Sequence, residues 1–412
     1  MLDPKFVLEN LEEIKKTIKE RGMKINVDDV PRLAKARAVT LARVEELRAE
    51  RNQLSKKPSP ESIRKGTDIK AELKNLEPQL KNLEEQLNKI LGQVPNLIHP
   101  KTPRGFEEKD NQIIKTDKPP KVAFKPSDHE ELAEKLDLID FDAGAKVAGS
   151  KFYYLKNEAV LLEFALIKYA FDILLKEGFT PFVTPDLARE EIIGGVGFVP
   201  RGPESNIYNV EGENLGLVGT AEITLGGYHA GQTLEEKRLP LKYAGFSHCF
   251  RREAGSYGQF SKGLYRVHQF SKVEMFVFCK PDESEKMHEY LLSLEEKIFL
   301  GLKIPYRVVD IRAGDLGAAA YRKFDLEAWM PGRGEWGEIT STSNTTDYQS
   351  RRLGIKYRKS NGETEYLHTL NGTAIATSRA LIAILENYQQ EDGSIEVPKV
   401  LAPYVGKNII RR

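Results

Sequence analysis

Cysteine is scarce in this chain. Its 412 residues include two, Cys249 and Cys279, too few for a disulfide framework or a four-cysteine zinc site. Both read as small strand residues. Tryptophan, with two residues, and histidine, with seven, are also sparse, and no His/Cys triplet at ligand spacing compels a zinc reading. Long apolar runs are missing: none approaches the roughly 18 residues of a membrane span, and mean hydropathy is −0.46. The first residues, Met1-Leu2-Asp3-Pro4-Lys5, lack the basic-then-apolar layout of a secretory signal. No Gly-x-x-x-x-Gly-Lys-Ser/Thr loop occurs, and no dinucleotide-binding unit is expected. A bound nucleotide would have to be held another way. These absences predict a cytoplasmic chain with no membrane partner. Net charge is nearly absent too, at +1 from 62 basic and 61 acidic residues, which argues at first against a polyanionic partner.

What is present divides along the chain. The first hundred residues are rich in Leu, Glu, Lys, Arg and Gln, and their one aromatic residue is Phe6. Phe6, Leu8, Leu11, Ile14 and Ile18 at helical spacing predict one amphipathic helix over residues 4–22 that stops at Gly22. Asp28 and Asp29 can cap a second helix, with Leu33, Val44, Leu47 and Leu54 on its apolar stripe. Lys57-Pro58-Ser59-Pro60 breaks that helix. Ile69, Leu73, Leu76, Leu80, Leu83, Leu87 and Ile90 then alternate steps of four and three, a heptad seam. Pro78 lies inside this second leg and should kink or loosen it. Two legs of about 25 residues, roughly 35–40 Å each, predict an antiparallel coiled-coil hairpin over about 28–91.

A plain dimerisation coiled coil would have this pattern as well, and charge separates the two readings. From Arg32 to Lys65 there are ten basic residues against four acidic ones. That local surplus of +6 suits a phosphate backbone, and Arg43, Arg48 and Arg51 are candidates to meet it. The near-neutral total therefore conceals a basic leg.

Prolines at 95, 100, 103, 119, 120 and 126 mark an irregular linker over 101–127. The chain thus divides into an N-terminal domain, 1–100, the linker, and a globular domain, 128–412. Helical pattern fills Asn157 to Glu177 and stops at Gly178. Phe179-Thr180-Pro181-Phe182-Val183-Thr184-Pro185 is extended, its prolines suiting a sheet edge. Val273–Phe278, Tyr306–Ile311 and Phe324–Trp329 read as strands, and strands with few intervening helices favour an antiparallel sheet.

The segment Cys249-Phe250-Arg251-Arg252-Glu253-Ala254-Gly255-Ser256-Tyr257-Gly258, followed by Gly263–Phe270, implies a strand, a Gly-rich loop and a second strand. Arg251 and Glu253, two apart on a strand, share a face. An Arg fork clamps phosphate, a Glu accepts from an amino group, and Phe270 offers a flat face for a base. Taken alone, this is also the pattern of a solvated surface hairpin.

The whole stretch resembles motif 2 of the class II aminoacyl-tRNA synthetases, in the form found in seryl-tRNA synthetases, and five further segments follow that family in order. Gly178 to Pro185 resembles motif 1. Thr220-Ala221-Glu222 resembles the serine-binding Thr-x-Glu element. Lys272-Val273-Glu274-Met275 resembles the strand with a second substrate carboxylate. Glu338-Ile339-Thr340-Ser341-Thr342-Ser343-Asn344 resembles the metal and ATP segment. Leu370-Asn371-Gly372-Thr373 through Arg379, then Leu385–Gln389, resembles motif 3, without the glycines that many relatives have before its Arg.

The resemblance implies an α+β fold: a class II synthetase antiparallel β-sheet catalytic domain flanked by helices, with an N-terminal helical-hairpin arm. It implies activation of L-serine by ATP to seryl-adenylate and pyrophosphate, then transfer to the 3′ end of tRNA(Ser). Whether tRNA(Sec) is also charged stays open. Arg251 and Arg379 match the catalytic arginines. Thr220, Ala221, Glu222, Glu274 and Thr373 match the serine site. Arg251, Arg252, Glu253, Val267, Phe270, Glu338, Ile339, Thr340, Ser341 and Arg379 match the ATP site. Glu338 and Ser341 would hold Mg2+ brought with ATP; no zinc is expected. A homodimer through the region near Pro185 and tRNA binding by the arm are implied likewise. Two rivals on the same fold are a ligase that loads a carrier protein and a non-catalytic RNA-binding paralogue.

Overall fold

The computed structural model describes residues 2–56, 59–120, 122–199, 205–253 and 263–412. Lys57, Pro58 and the loop residues Ala254 to Gly258 lie outside these. Two compact units appear, Met1–Leu97 and Ile98–Arg412. Among the described residues no helix is long and apolar enough to cross a membrane.

The first unit begins with two short helices, α1 (Pro4–Glu9) and α2 (Leu11–Glu20), where one helix over 4–22 was expected. Asn10 interrupts them. Its backbone leaves helical geometry at φ −125°, ψ 37°, and its side-chain amide donates to the Phe6 carbonyl at 3.0 Å. An Asn side chain that bonds nearby backbone competes with the helix ladder. The hairpin follows as α3 (Val30–Leu54, 25 residues) and α4 (Pro60–Gln93, 34 residues). Asp29 occupies the N-cap position of α3 without a capping bond. It pairs with Arg32 instead, and Asp28 pairs with Lys15.

The second leg is longer than expected because Ser59 caps it, in a reciprocal pair with Ser62, and Pro60 starts the helix, where a missing N–H costs nothing. Pro78 does not end α4. It lies on the exposed side, as does Lys74, whose carbonyl it leaves without an amide partner, so water can serve that carbonyl. Val44 and Leu47 of α3 bury against Ile69 and Leu73 of α4, with Leu54, Leu76 and Leu80 packed alongside. Each such burial contributes about 1.5–3 kcal/mol before entropy.

The second unit is built on an eight-stranded sheet. Its strands are β1 (Gln112–Thr116), β2 (Thr180–Val183), β3 (Leu241–Phe250), β4 (Gln269–Cys279), β5 (Tyr306–Asp310), β6 (Arg322–Met330), β7 (Glu335–Thr346) and β8 (His368–Ala376). They lie in the order β1-β5-β6-β7-β8-β4-β3-β2. Every pair is antiparallel except β2 with β3. The helices that bear on the site are α5 (His129–Lys135), α6 (Glu158–Lys176), α7 (Ala221–Gly227), α8 (Ser284–Gly301) and α9 (Thr377–Asn387).

The stretch expected to be irregular linker contributes β1, paired with β5 at one sheet edge. Its five residues are exposed throughout, so no hydrophobic alternation announces the strand. The opposite edge is β2, where Pro181 removes a ladder donor at little cost. Gly178 ends α6 at φ +79°, with Phe179 N–H closing back on the Leu174 carbonyl. The spacing Gly332-Arg333-Gly334-Glu335-Trp336-Gly337 is that of a dinucleotide fingerprint. Here it joins and enters antiparallel strands β6 and β7, not a strand and a helix, so it builds no phosphate cradle of that kind.

The period of two in β4 divides its residues between two cores. Val273, Met275, Val277 and Cys279 pack with α6, α8 and α9, and Phe276 and Phe278 pack on the other side with Ala221 and Leu225 of α7. Lys272 and Glu274 share parity with Phe276 and Phe278, so they face the α7 side. That face carries the cavity described next.

Candidate active site

A cavity of about 310 Å³ opens on this face, lined by residues of β4, β6, β7 and β8, by residues that follow β3 and precede β4, and by the starts of α7 and α9. Most of the residues matched in sequence border it: Thr220, Glu222, Arg251, Glu253, Val267, Phe270, Glu274, Glu338, Ile339, Thr340, Ser341, Thr373 and Arg379. Ala221 and Arg252 do not. Ala221 is fully buried in the core beneath α7. Arg252 is exposed, held by its backbone N–H on the Asn206 carbonyl. In this structure both therefore adjoin the cavity wall without forming it.

One end of the cavity is acidic. Thr220 caps α7, its Oγ1 accepting from the Glu222 N–H at 3.1 Å. This places Glu222 in the first turn with its carboxylate in the cavity. Glu222 Oε1 accepts from Gln349 Nε2 at 2.8 Å and from Asn371 Nδ2 at 2.9 Å. Burial, then the neighbouring Glu274 charge, pushes its pKa up to about 7. Glu274 is buried, accepts from Thr373 Oγ1 at 3.3 Å and is ion-paired with Lys272. Two carboxylates, two hydroxyls and an amide thus converge on a small polar space. Such a space suits an ammonium group next to a short hydroxyl-bearing side chain.

The other end is cationic. Arg251 Nε donates to the Gly219 carbonyl at 3.2 Å, and its guanidinium lies 5.3 Å from the centre of the Phe270 ring, covering one face. Arg379 is held twice by one residue through Nη1: it donates to the Glu338 carbonyl at 3.2 Å and is ion-paired with Glu338 Oε1 at 3.0 Å. It also stacks 4.8 Å from the Tyr265 ring centre. Burial alone would raise the Glu338 pKa, but the charges of Arg379 and Lys323 outweigh it and hold the carboxyl at about 2. Glu253, at φ +46°, pairs with Arg266 at 3.1 Å. Ile339 turns its side chain into the core. The Thr340 hydroxyl is committed to Glu295 Oε2 at 2.8 Å, away from the cavity. Only the backbone of those two can meet a ligand.

The Ala374–Arg379 run, poor in glycine, is the end of β8 passing into α9. Ala376, Ser378 and Arg379 border the cavity while Ala374 and Ile375 are buried. A buried network sets this junction. Glu386 of α9 accepts from the His129 backbone N–H and Nδ1 and from the Gly332 N–H at 2.9 Å. His129 Nε2 accepts from the Leu264 N–H at 3.2 Å, which fixes the neutral tautomer with the proton on Nδ1. A Cβ on Gly263 would come within 2.1 Å of that Nε2, so glycine is required there. The network fixes Leu264, and with it the Tyr265 ring under Arg379.

Sequence reasoning missed Phe198, Tyr265, Arg266, Lys272, Lys323, Asn371, Ala376 and Ser378 on the cavity wall. Lys272 was accessible to the argument that joined Arg251 with Glu253, since it lies two residues from Glu274. Asn371 sat inside a quoted motif. Lys323 lies in no motif and gave no signal. Among the described residues no three His, Cys, Asp or Glu side chains converge to hold a metal ion.

In the N-terminal unit, two of the three arginines expected to meet tRNA are engaged within the hairpin. Arg43 pairs with Glu72 at 2.9 Å and with Glu46 at 2.8 Å, and Arg48 pairs with Glu77 at 2.7 Å. Arg51 has no ion pair among the described residues, and neither have Lys56 and Arg64.

Comparison with known proteins gives two family matches. Residues 1–98 match the seryl-tRNA synthetase N-terminal domain, and residues 208–388 match the class II tRNA synthetase core domain (G, H, P, S and T). The chain is 58% identical to the serine–tRNA ligase of Dictyoglomus thermophilum, over 100% of this chain and 99% of that one. It is 55% identical to that of Treponema denticola, over 98% and 99%. Among solved structures it resembles the Pyrococcus horikoshii seryl-tRNA synthetase complexed with ATP, with TM-score 0.91 and 41% identity, over 100% and 99% of the two chains.

Proposed function

The chain belongs to the seryl-tRNA synthetases, class II serine–tRNA ligases, and on that premise we propose how its cavity divides the reaction between its two ends. The acidic end takes serine. Glu222 and Glu274 receive the ammonium, and Thr373 and Glu274 pair with the hydroxyl, leaving polar groups unpaired when alanine binds instead. Thr220 holds α7 in register for this. The cationic end takes ATP, with the adenine on the Phe270 face, beside Val267, and its amino group towards Glu253. The backbone of Ile339 and Thr340 borders the phosphates.

Activation needs no general base, because the serine carboxylate is already a nucleophile. Its oxygen attacks the α-phosphorus, the bond to the bridging oxygen of the β-phosphate breaks, and pyrophosphate leaves. Arg251 and Arg379 are fixed before substrate arrives, by Gly219 and Glu338 respectively, so they meet the developing charge without reorganisation. In the second step a ribose hydroxyl at the tRNA 3′ end attacks the seryl carbonyl, and AMP leaves. The observation that carries this reading is the pairing, in one cavity, of an acidic pocket of serine size with two immobilised arginines.

The donor set fits a hard divalent cation. Glu338 is held ionised, Ser341 adds a hydroxyl on the same strand, and phosphate oxygens and water would complete the shell. Glu338 and Ser341 would therefore hold Mg2+, which neutralises charge on the phosphate chain when bound.

Four further parts belong to the same proposal. The basic leg of the hairpin binds tRNA(Ser), through Arg51 and its uncommitted neighbours more than through Arg43 and Arg48. A tRNA(Sec) that offers the same kind of arm contact as tRNA(Ser) would be a second acceptor, which its serylation by the full-length chain decides. The chain works in the cytoplasm as a homodimer through the β2 edge and Pro185, where Val183 is 82% exposed and Phe164 of α6 63%. Residues 1–97 serve as the tRNA-binding domain and the remainder as the catalytic one.

Serine-dependent exchange of pyrophosphate into ATP tests the division directly. Exchange should follow serine but not alanine or glycine, and Arg251→Ala should abolish it with the fold intact. Wild-type exchange by that variant would refute the role of Arg251.

A further inference from the structure

One cation on the cavity wall has no part in the roles above. Lys323 lies on β6, where it stands opposite Ser343 of β7, and Asp325 stands opposite Ser341. The Lys323 side chain borders the cavity together with Glu338 and Ser341 and is only 20% exposed. Lysines are rarely so enclosed unless paired. Here the pair is Asp325, on the same strand face two residues on, with both carboxylate oxygens 3.0 Å from Nζ.

Asp325 is 7% exposed, and its Oδ1 completes no hydrogen bond among the described residues. An ammonium has three N–H donors, and the Asp325 bond uses one. Among the described residues the others have no hydrogen-bond partner, and they face a cavity whose proposed occupant carries a polyanionic chain. Asp325 thus holds a cation at the cavity wall, beside Glu338, that the protein itself leaves incompletely bonded.

We propose that Lys323 is a further phosphate-binding residue of this enzyme, donating to an oxygen of the nucleotide's phosphate chain, with Asp325 as the residue that positions it. The proposal rests on the assignment of ATP to the cationic end. It also explains a charge problem on that wall. Glu338 and Asp325 together would repel a phosphate chain, and Arg379 answers only Glu338. Lys323 answers Asp325 and leaves donors for the ligand.

The test uses the full-length chain and steady-state exchange, with ATP, pyrophosphate and serine varied separately. Lys323→Met should raise KM for ATP by about tenfold or more, the effect of losing one charge-assisted hydrogen bond, with KM for serine unchanged. Lys323→Arg should recover part of the loss. Asp325→Asn should shift KM for ATP in the same direction by less, again sparing serine.

A non-hydrolysable seryl-adenylate analogue identifies the phosphate. If the analogue binds Lys323→Met more weakly, the contact is to the α-phosphate. If only KM for ATP and pyrophosphate rises, the contact is to the leaving pyrophosphate. Wild-type KM values for both in folded Lys323→Met overturn the proposal, as does an equal rise in KM for serine. Should Lys323→Met fail to fold, Lys323→Arg and Asp325→Asn carry the test, and wild-type KM for ATP in both overturns it. Absence of serine-dependent exchange by the unaltered chain would overturn the assignment of the site itself, and this proposal with it.

Discussion

Glu222→Gln separates stability from function at one position. In the free protein, burial and Glu274 raise the Glu222 pKa from 4.5 to about 7. At 1.36 kcal/mol per pKa unit, that shift of about 2.5 opposes folding by about 3 kcal/mol wherever the carboxyl is ionised. The side chain is half-buried and meets water in the cavity, so about 3 kcal/mol is an upper figure. The cost is complete above pH 7, where the folded state must ionise. It vanishes below about pH 4.5, where both states are protonated.

Glutamine keeps the Oε1 acceptor for Gln349 and Asn371 and never ionises. Glu222→Gln should therefore be more stable than wild type at pH 8, by about 1–3 kcal/mol, and the gain should shrink as pH falls from 7 to 5. Exchange with serine should collapse in the same variant. In wild type, KM for serine should rise as pH drops through 7, because protonated Glu222 no longer attracts the ammonium. Chemical denaturation at pH 8 and pH 5, with exchange kinetics alongside, reads all three effects. A variant no more stable than wild type at pH 8, or one with wild-type KM for serine, would refute the electrostatic reading of the pocket.

Four further outcomes can be checked independently. Glu386→Leu strands the His129 Nδ1–H and the backbone N–H groups of His129 and Gly332; a loss of about 3 kcal/mol is expected in unfolding measurements, and KM for ATP should rise as Tyr265 loosens beneath Arg379. Thr373→Val removes the hydroxyl donor to Glu274, so kcat/KM for serine should fall by about a hundredfold while that for alanine stays level. Arg51→Ala and Arg64→Ala should weaken tRNA binding and flatten its salt dependence without moving the thermal midpoint. For Arg48, reversal to Glu should destabilise the hairpin slightly through Glu77, as exposed pairs contribute about 0–1 kcal/mol. The swap Arg48→Glu with Glu77→Arg should restore it. If the swap also restores tRNA affinity, Arg48 acts by holding the hairpin and not by touching RNA.

The parts of this molecule legible in sequence were those with a period or an ordered motif. The seam from Ile69 to Leu87 gave the second leg of the hairpin, and Gly178 gave the end of α6. Ordered segments around Thr220, Arg251, Glu274, Glu338, Thr373 and Arg379 marked a site before any of them could be seen to meet. Three kinds of feature stayed hidden for physical reasons. Asn10 breaks a helix whose apolar spacing runs straight through it, because the break comes from a side-chain hydrogen bond and not from hydrophobicity. Strand β1 is exposed on both faces, so it lacks the alternation that identifies strands. Lys323 reaches the cavity only because β6 pairs with β7, a long-range register that no local pattern encodes. Charge misled in one respect: the basic surplus from Arg32 to Lys65 is real, but Arg43 and Arg48 are partly cancelled by Glu72 and Glu77 across the hairpin.

The central claim is that serine and ATP react in this cavity before tRNA is needed. Rapid mixing of the full-length chain with serine and radiolabelled ATP, without tRNA, measures it. The account predicts a burst of pyrophosphate close to one per cavity that requires serine and disappears in Arg251→Ala. Release of pyrophosphate only after tRNA is added, or a burst that survives in Arg251→Ala, would contradict it.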